Sequence, residues 1–242
     1  MVRLFIIIFH LCFFLLQANP SAGNDDLSLV LEGIRKNYSN CPCITITYSR
    51  EVITRSMSML GNEVKGDMAA GRMYFKSPYS LKMEQKTPET ETIISDGDTI
   101  WWYIPAKRTA HRYSSLKFGK ELRLLSDIFR GLTRVEDNFV VKLADDKIEG
   151  GFKIEMTPDP PWREVDHILL AVTRGYNIRV VEIFNRIGGK TKFTFDEKIK
   201  KEKFEEGFFK FHVPEGVKIV DEEGIQENKI NKSLPLKEDV LP

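Results

Sequence analysis

Apolar side chains recur along this chain with two different periods, and the changes of period mark its elements. Asp25 or Asp26 can cap a helix, and Leu27, Val30, Leu31 and Ile34 follow at steps of three and four. That spacing predicts a short amphipathic helix ending near Tyr38. From Cys43 the period becomes two. Ile44, Ile46 and Tyr48 alternate with Thr45, Thr47 and Ser49, and Ile53, Met57 and Met59 continue on a more polar strand. Gly61-Asn62-Glu63 supplies a turn, and a second strand covers Ala69 to Lys76 until Ser77-Pro78 breaks it. A third strand sets Tyr79, Leu81 and Met83 against Ser80, Lys82 and Glu84, and ends at Thr87-Pro88.

The fourth strand, Thr92-Ile93-Ile94, turns at Asp96-Gly97 into a fifth that breaks the alternation with Trp101-Trp102-Tyr103. Three large aromatics in a row require both faces of that strand to meet something apolar. A further strand runs from Thr109 to Tyr113. From Glu121 the helical period returns, with Leu122, Leu125, Ile128, Phe129 and Leu132 on one face up to about Gly131. Strands resume at Phe139–Leu143 and Phe152–Met156. The segment Val165–Val172 fits a strand or a helix by periodicity, and the turn signal Arg174-Gly175-Tyr176-Asn177 makes it a strand leading into Ile178–Ile183. Thr191–Phe195 and an apolar stretch from Phe208 to Val217 close the pattern. The fold class is therefore mainly β (α+β), with about ten or eleven strands in one antiparallel order and two amphipathic helices, about what is needed to lie across an open half-barrel.

At the N-terminus a single Arg3 precedes an apolar run from Leu4 to Leu16, and small residues follow through Gly23. This is the pattern of a secretory signal peptide, too short for a membrane span. The domain reading is a signal peptide at 1–23, a half-barrel domain at 24–220 and a flexible polar tail at 221–242. Arg3 is the only charged residue among the first 23, so the remainder carries 35 basic against 35 acidic side chains. Such a balance gives no field to attract nucleic acid, and the partner is recognised by shape and apolar contact. Cys12 has no small residue before it, which argues against lipidation. Cys41 and Cys43 flank Pro42 and are compatible with a strained disulfide ring, a redox pair or two thiols, a local structural role being favoured.

No nucleophile elbow, phosphate loop, paired-histidine metal helix or zinc-binding cysteine quartet occurs, so neither a catalytic residue nor a metal or other cofactor is expected. His111, His167 and His212 lie on different strands, and Asp96 and Asp98 belong to a turn. The methionines Met57, Met59, Met68, Met73 and Met83 cluster on the first three strands, where their flexible thioethers suit a pocket for varied apolar partners.

The segments Gly71-Arg72-Met73-Tyr74-Phe75-Lys76-Ser77-Pro78, Thr87-Pro88-Glu89 and Ile94-Ser95-Asp96-Gly97-Asp98-Thr99-Ile100-Trp101-Trp102-Tyr103-Ile104-Pro105 resemble the LolA family of periplasmic lipoprotein carriers. So do Lys192-Phe193-Thr194-Phe195 and Phe209-Lys210-Phe211-His212-Val213-Pro214-Glu215-Gly216-Val217. The resemblance, over roughly residues 25 to 220, implies an open, unclosed antiparallel β-barrel of about 11 strands with short helices as a lid over an apolar cavity, and a monomeric periplasmic chaperone. It would take acylated lipoproteins from an inner-membrane lipoprotein-releasing transporter and hand them to an outer-membrane lipoprotein acceptor. Its implied wall is Met73, Phe75, Leu81, Met83, Trp101 and Tyr103, and its implied lid Leu125, Ile128 and Phe129. The family places an arginine before the proline that follows its second strand, as a latch on the lid. Here that position is Ser77, beside Lys76, and Arg72 or Lys76 is the substitute donor expected. Each buried methylene is worth about 0.8 kcal/mol, so acyl chains need shielding, while release demands an imperfect fit. The alternative reading is an envelope sensor or interaction domain of the same fold, binding a protein partner or lipid. A lipid hydrolase lacks a nucleophile constellation.

Overall fold

The computed structural model describes residues 22–39, 43–59, 65–115, 120–144, 148–196, 200–201 and 203–221. Residues 1–21 of the expected leader, Cys41, the turn at Gly61-Asn62-Glu63 and the tail beyond Asp221 lie outside the described residues. Helix α1 (Ala22–Ser39) begins ahead of the expected cap at Asp25 or Asp26 and leads to strand β1 (Cys43–Ile53). There follow α2 (Arg55–Met59), β2 (Asp67–Lys76), β3 (Ser80–Thr87), β4 (Glu91–Ser95), β5 (Thr99–Ile104) and β6 (Thr109–Ser114). Helix α3 (Lys120–Phe129) interrupts the strands, which resume as β7 (Phe139–Leu143), β8 (Gly151–Pro158), β9 (Val165–Thr173), β10 (Ile178–Asn185) and β11 (Lys190–Phe195). Two short strands, β12 (Lys200–Lys201) and β13 (Lys218–Asp221), complete the set.

All the strands join one sheet in the order β13-β6-β5-β4-β3-β2-β1-β11-β10-β9-β8-β7, with β12 set against β1. The ends of that order, β13 and β7, do not pair with each other among the described residues, so the barrel is open, as the resemblance implied. The ambiguous segment Val165–Thr173 is a strand, bonded to both β8 and β10. Side chains of alternate residues share a face of a sheet. The inward set from each strand meets the buried faces of α1 and α3 in a single core that contains Ile34, Ile46, Phe75, Ile128, Leu170 and Phe195.

Two expectations are corrected. Met57 and Met59 do not extend β1, because Thr54 starts a helical turn there. Its hydroxyl accepts from the Met57 N–H at 3.3 Å and its carbonyl from the Ser58 N–H at 3.0 Å. The apolar stretch from Phe208 to Val217 is an irregular strap over the outside of the sheet. After it, β13 departs from the antiparallel order and runs parallel to β6, in register Lys218 with Thr109 through Asp221 with Arg112. A parallel pairing requires the chain to cross back between the two strands, and the strap is the last leg of that return from β6 to β13. The Arg112 guanidinium fixes the end, donating to both Asp221 oxygens at 2.5 and 2.8 Å.

Candidate functional site

The concave face of β1 to β6 is built from rows of side chains that run straight across the strands. One row is Ile46, Met73, Met83, Ile93, Trp102 and His111, and the next is Ile44, Phe75, Leu81, Ser95, Ile100 and Tyr113. Met73, Phe75, Leu81 and Met83, all read from the sequence as wall residues, stand together here with at most 4% exposure. Trp102 and His111 of the first row and Tyr113 of the second form a stacked run of rings, 5.2 and 6.4 Å between centroids.

Helix α3 roofs these rows. Leu125, Ile128 and Phe129 are buried as expected, and the Phe129 ring sits 6.0 Å from Phe75 and 5.3 Å from Phe195. The helix core therefore occupies the space in which the sequence placed a cavity. Helix α1 covers the opposite half of the sheet through Val30, Leu31 and Ile34, which periodicity identified as apolar, and through Tyr38, none of them assigned to the site. Its anchorage is extensive. Arg35 donates to both Glu136 oxygens at 2.6 and 2.8 Å, Asn37 donates to Asn177 at 3.0 Å, and the Tyr38 hydroxyl accepts the Ile178 N–H at 3.1 Å. Gly33 is required by close approach, since a Cβ there would stand 2.5 Å from the Tyr176 ring.

The polar hold on α3 is smaller and lies at one spot. Tyr79, in the turn between β2 and β3, lies between two arginines of the lid. The guanidinium carbons of Arg123 and Arg130 stand 5.2 and 5.1 Å from its ring centre, and Arg130 Nη1 donates to its hydroxyl at 3.0 Å. The arginines fall on one side of the helix because they are two turns apart. Asp127 completes the group, with an oxygen 3.4 Å from Arg130. Burial pushes its carboxyl above the ordinary value, and the pull of Arg130 and Arg123 does not offset this.

At the other end of the concave rows the roof stops. Tyr48, Gly71, Gln85 and Glu91 form the next row, followed by Arg50 opposite Ala69. The small Ala69 and Gly71 let the Arg50 guanidinium reach over β2 and donate to Gln85 Oε1 at 3.1 Å. Gly71 is also forced by the bulge between β2 and β3, where a Cβ would stand 2.0 Å from the Glu84 carbonyl. Burial raises the Tyr48 hydroxyl beside this group, with Arg50 pulling it down and Glu91 pushing it up.

The sequence profile of the family described as outer membrane lipoprotein carrier protein LolA matches residues 59–212. The chain belongs to the LolA family. Among its relatives, the outer-membrane lipoprotein carrier protein of Nitrosospira multiformis is 27% identical over 157 residues, 64% of this chain and 73% of its own length. That of Dechloromonas aromatica is 24% identical over 213 residues, 87% of this chain and 94% of its own. Among solved structures, an uncharacterized conserved protein from Thermus thermophilus aligns at a TM-score of 0.51 with 10% identity. The alignment covers 81% of this chain and 99% of that one, a likeness of fold alone.

Two of the site assignments made by resemblance to the LolA family are corrected by strand parity. Trp101 and Tyr103 do not line the concave face. Trp102 pairs with Ile93 on that face, so its two neighbours project outward, where Phe211 of the strap packs 5.2 and 5.4 Å from their rings. The latch is corrected too. Ser77 and Lys76 are exposed, and Arg72 lies on the outer face in register with Glu84. In this LolA-family chain the two arginines, Arg123 and Arg130, come from α3 and the residue after it, and the aromatic acceptor Tyr79 from the turn between β2 and β3. The spacing of Arg123 and Arg130 was the available signal. No group of three metal-ligating side chains gathers among the described residues.

Proposed function

We propose that this protein is a periplasmic carrier of acylated lipoproteins, with the acyl chains lodging between the two concave rows and α3. Met73, Phe75, Leu81 and Met83 are the wall in this reading, and Leu125, Ile128 and Phe129 the part of the lid that gives way. The leader in residues 1–23 delivers the chain across the inner membrane. There it receives cargo from a lipoprotein-releasing transporter and passes it to an outer-membrane acceptor. No chemical step is involved. The observation that carries the reading is the pairing of the apolar layer of Ile44, Ile46, Met73, Phe75, Leu81, Met83 and Ile93 with a roof held on its polar side by the Tyr79 group.

The energetics suit a carrier that must both load and unload. Acyl chains entering the layer exchange lid contacts for contacts of similar apolar kind, so neither state is overwhelmingly favoured. The latch then sets how often the lid opens. Two cation–π contacts and one hydrogen bond amount to about 2 kcal/mol, roughly thirtyfold in the open population.

Purified mature protein is expected to take up a fluorescent acylated lipopeptide, and Tyr79→Ala to accelerate entry by about thirtyfold at most. Tyr79→Phe keeps the ring and loses the hydroxyl contact alone, so its effect is smaller. Absence of uptake by the unaltered protein would sink the carrier reading. Uptake at one rate in all three forms would remove the latch from it.

A further inference from the structure

The unroofed end of the concave face holds a cleft of about 280 Å³ between β1, β2 and the turn from β3 to β4. It is lined by Arg50, Asp67, Met68, Gln85, Glu89 and Glu91, together with Ala69 and Pro88, and none of these belongs to α1 or α3. Three carboxylates stand against one guanidinium. Arg50 is only 9% exposed and engages Gln85, whereas Asp67 and Glu89 are exposed at the rim. Glu91 accepts the Trp102 indole N–H at 3.1 Å, and Gln85 donates to the Glu89 carbonyl at 3.0 Å. The charge presented to an entering group is therefore negative, and it favours N–H donors over a phosphate.

The cleft is continuous with the apolar layer. Along β1 the inward residues Ile46, Tyr48 and Arg50 pass from one into the other at about 7 Å per step. An amphiphile whose tails lie in the rows has its head at this cleft. An apolar layer by itself discriminates poorly between ligands that share the same acyl chains. In an envelope full of phospholipid, selection falls to the head.

We infer that this cleft seats the amide-bearing head of an acylated polypeptide, the stretch next to its acylated residue, and that its carboxylates turn phospholipids away. The inference rests on the carrier reading above. Peptide N–H groups find acceptors in Asp67, Glu89 and Glu91, while a phosphodiester meets an excess of two negative charges.

The test compares an uncharged dipalmitoylglyceryl-cysteinyl peptide amide with dipalmitoyl phosphatidylglycerol in one detergent, each displacing a fluorescent acyl probe. The unaltered protein is expected to prefer the lipopeptide by about tenfold or more. Asp67→Asn with Glu89→Gln, both at exposed positions, lowers that preference at least about threefold, and adding Glu91→Gln lowers it further. A preference unmoved by either variant overturns the inference. Equal binding of both ligands by the unaltered protein overturns it while leaving the carrier reading intact. Binding of neither removes the carrier reading and the inference with it.

Discussion

The half of the sheet made of β1 to β6 is covered on both faces, whereas the half made of β7 to β11 is covered on one. On the outer face of the first half, Ile94 is 6% exposed, Phe211 caps Trp101 and Tyr103, and Phe204 and Phe208 pack at 6.0 and 5.1 Å from Tyr74. On the outer face of the second half, Lys142 pairs with Glu155 at 3.2 Å and Lys190 with Glu182 at 3.0 Å, and Val140 is 58% exposed. The difference bears on which helix can leave. If α3 lifts, as the carrier reading requires, the first half keeps an apolar support beneath it, because the strap remains. The second half has α1 as its main apolar cover, and α1 is tied down by Arg35, Asn37 and Tyr38. On the carrier reading, the roof that must move is the one over the half that has a second floor.

The comparison breaks first at its inner layer. Phe75→Ala empties a site packed against Phe129 and is expected to cost about 3–5 kcal/mol in urea unfolding, while Val140→Ala on the outer face of β7 stays within about 0.5 kcal/mol. A loss below about 1 kcal/mol at Phe75 would mean that lid and wall are not packed together, and that a preformed cavity lies between them.

Next comes the second floor. Phe211→Ala removes a half-buried ring from two aromatic contacts and is expected to cost about 2 kcal/mol. Hydrogen exchange sharpens the point: protection should fall in β4 to β6 and in the strap and stay unchanged in β8 to β10. Equal loss in both halves would show one cooperative unit and would end the idea that the strap supports only its own half.

Periodicity made the strands, both long helices and the inward set of β2 and β3 legible, because Met73, Phe75, Leu81 and Met83 alternate with polar neighbours. It failed where alternation stops. Trp101-Trp102-Tyr103 announces two apolar faces without saying which is which, and the deciding contact, Phe211, lies more than a hundred residues further on. In the latch, Arg123 and Arg130 look like the ordinary solvent side of an amphipathic helix until Tyr79 is placed between them. The cleft escaped for a related reason: Arg50 and Gln85 occupy inward positions in β1 and β3, and a polar residue on an apolar face gives no periodic signal. Only the small Ala69 and Gly71 between them make room for the pair.

The smallest effect concerns the polar rim of the strap. Glu84 is pushed up by burial, but the Lys82 ammonium at 2.8 Å, the Tyr74 hydroxyl at 3.0 Å and Arg72 more than offset this, and its carboxyl titrates below the ordinary 4.5. A depressed folded value means that the unfolded chain takes up the proton first, so the stabilisation is complete above 4.5 and vanishes as pH falls through the folded value. Lys82 also lies 4.6 Å over the Phe208 ring, so the same ammonium ties Glu84 to the strap. Glu84→Gln should therefore be less stable than the unaltered protein at pH 7, by less than the cost of Phe211→Ala, and the two should converge as pH drops below 4.5. Protease cleavage within 203–217 is the sharper readout, because a pH-dependent gap that appears there and not in β8 to β10 assigns the effect to the doubly covered half. A gap independent of pH would mean that Glu84 acts through packing and not through its charge.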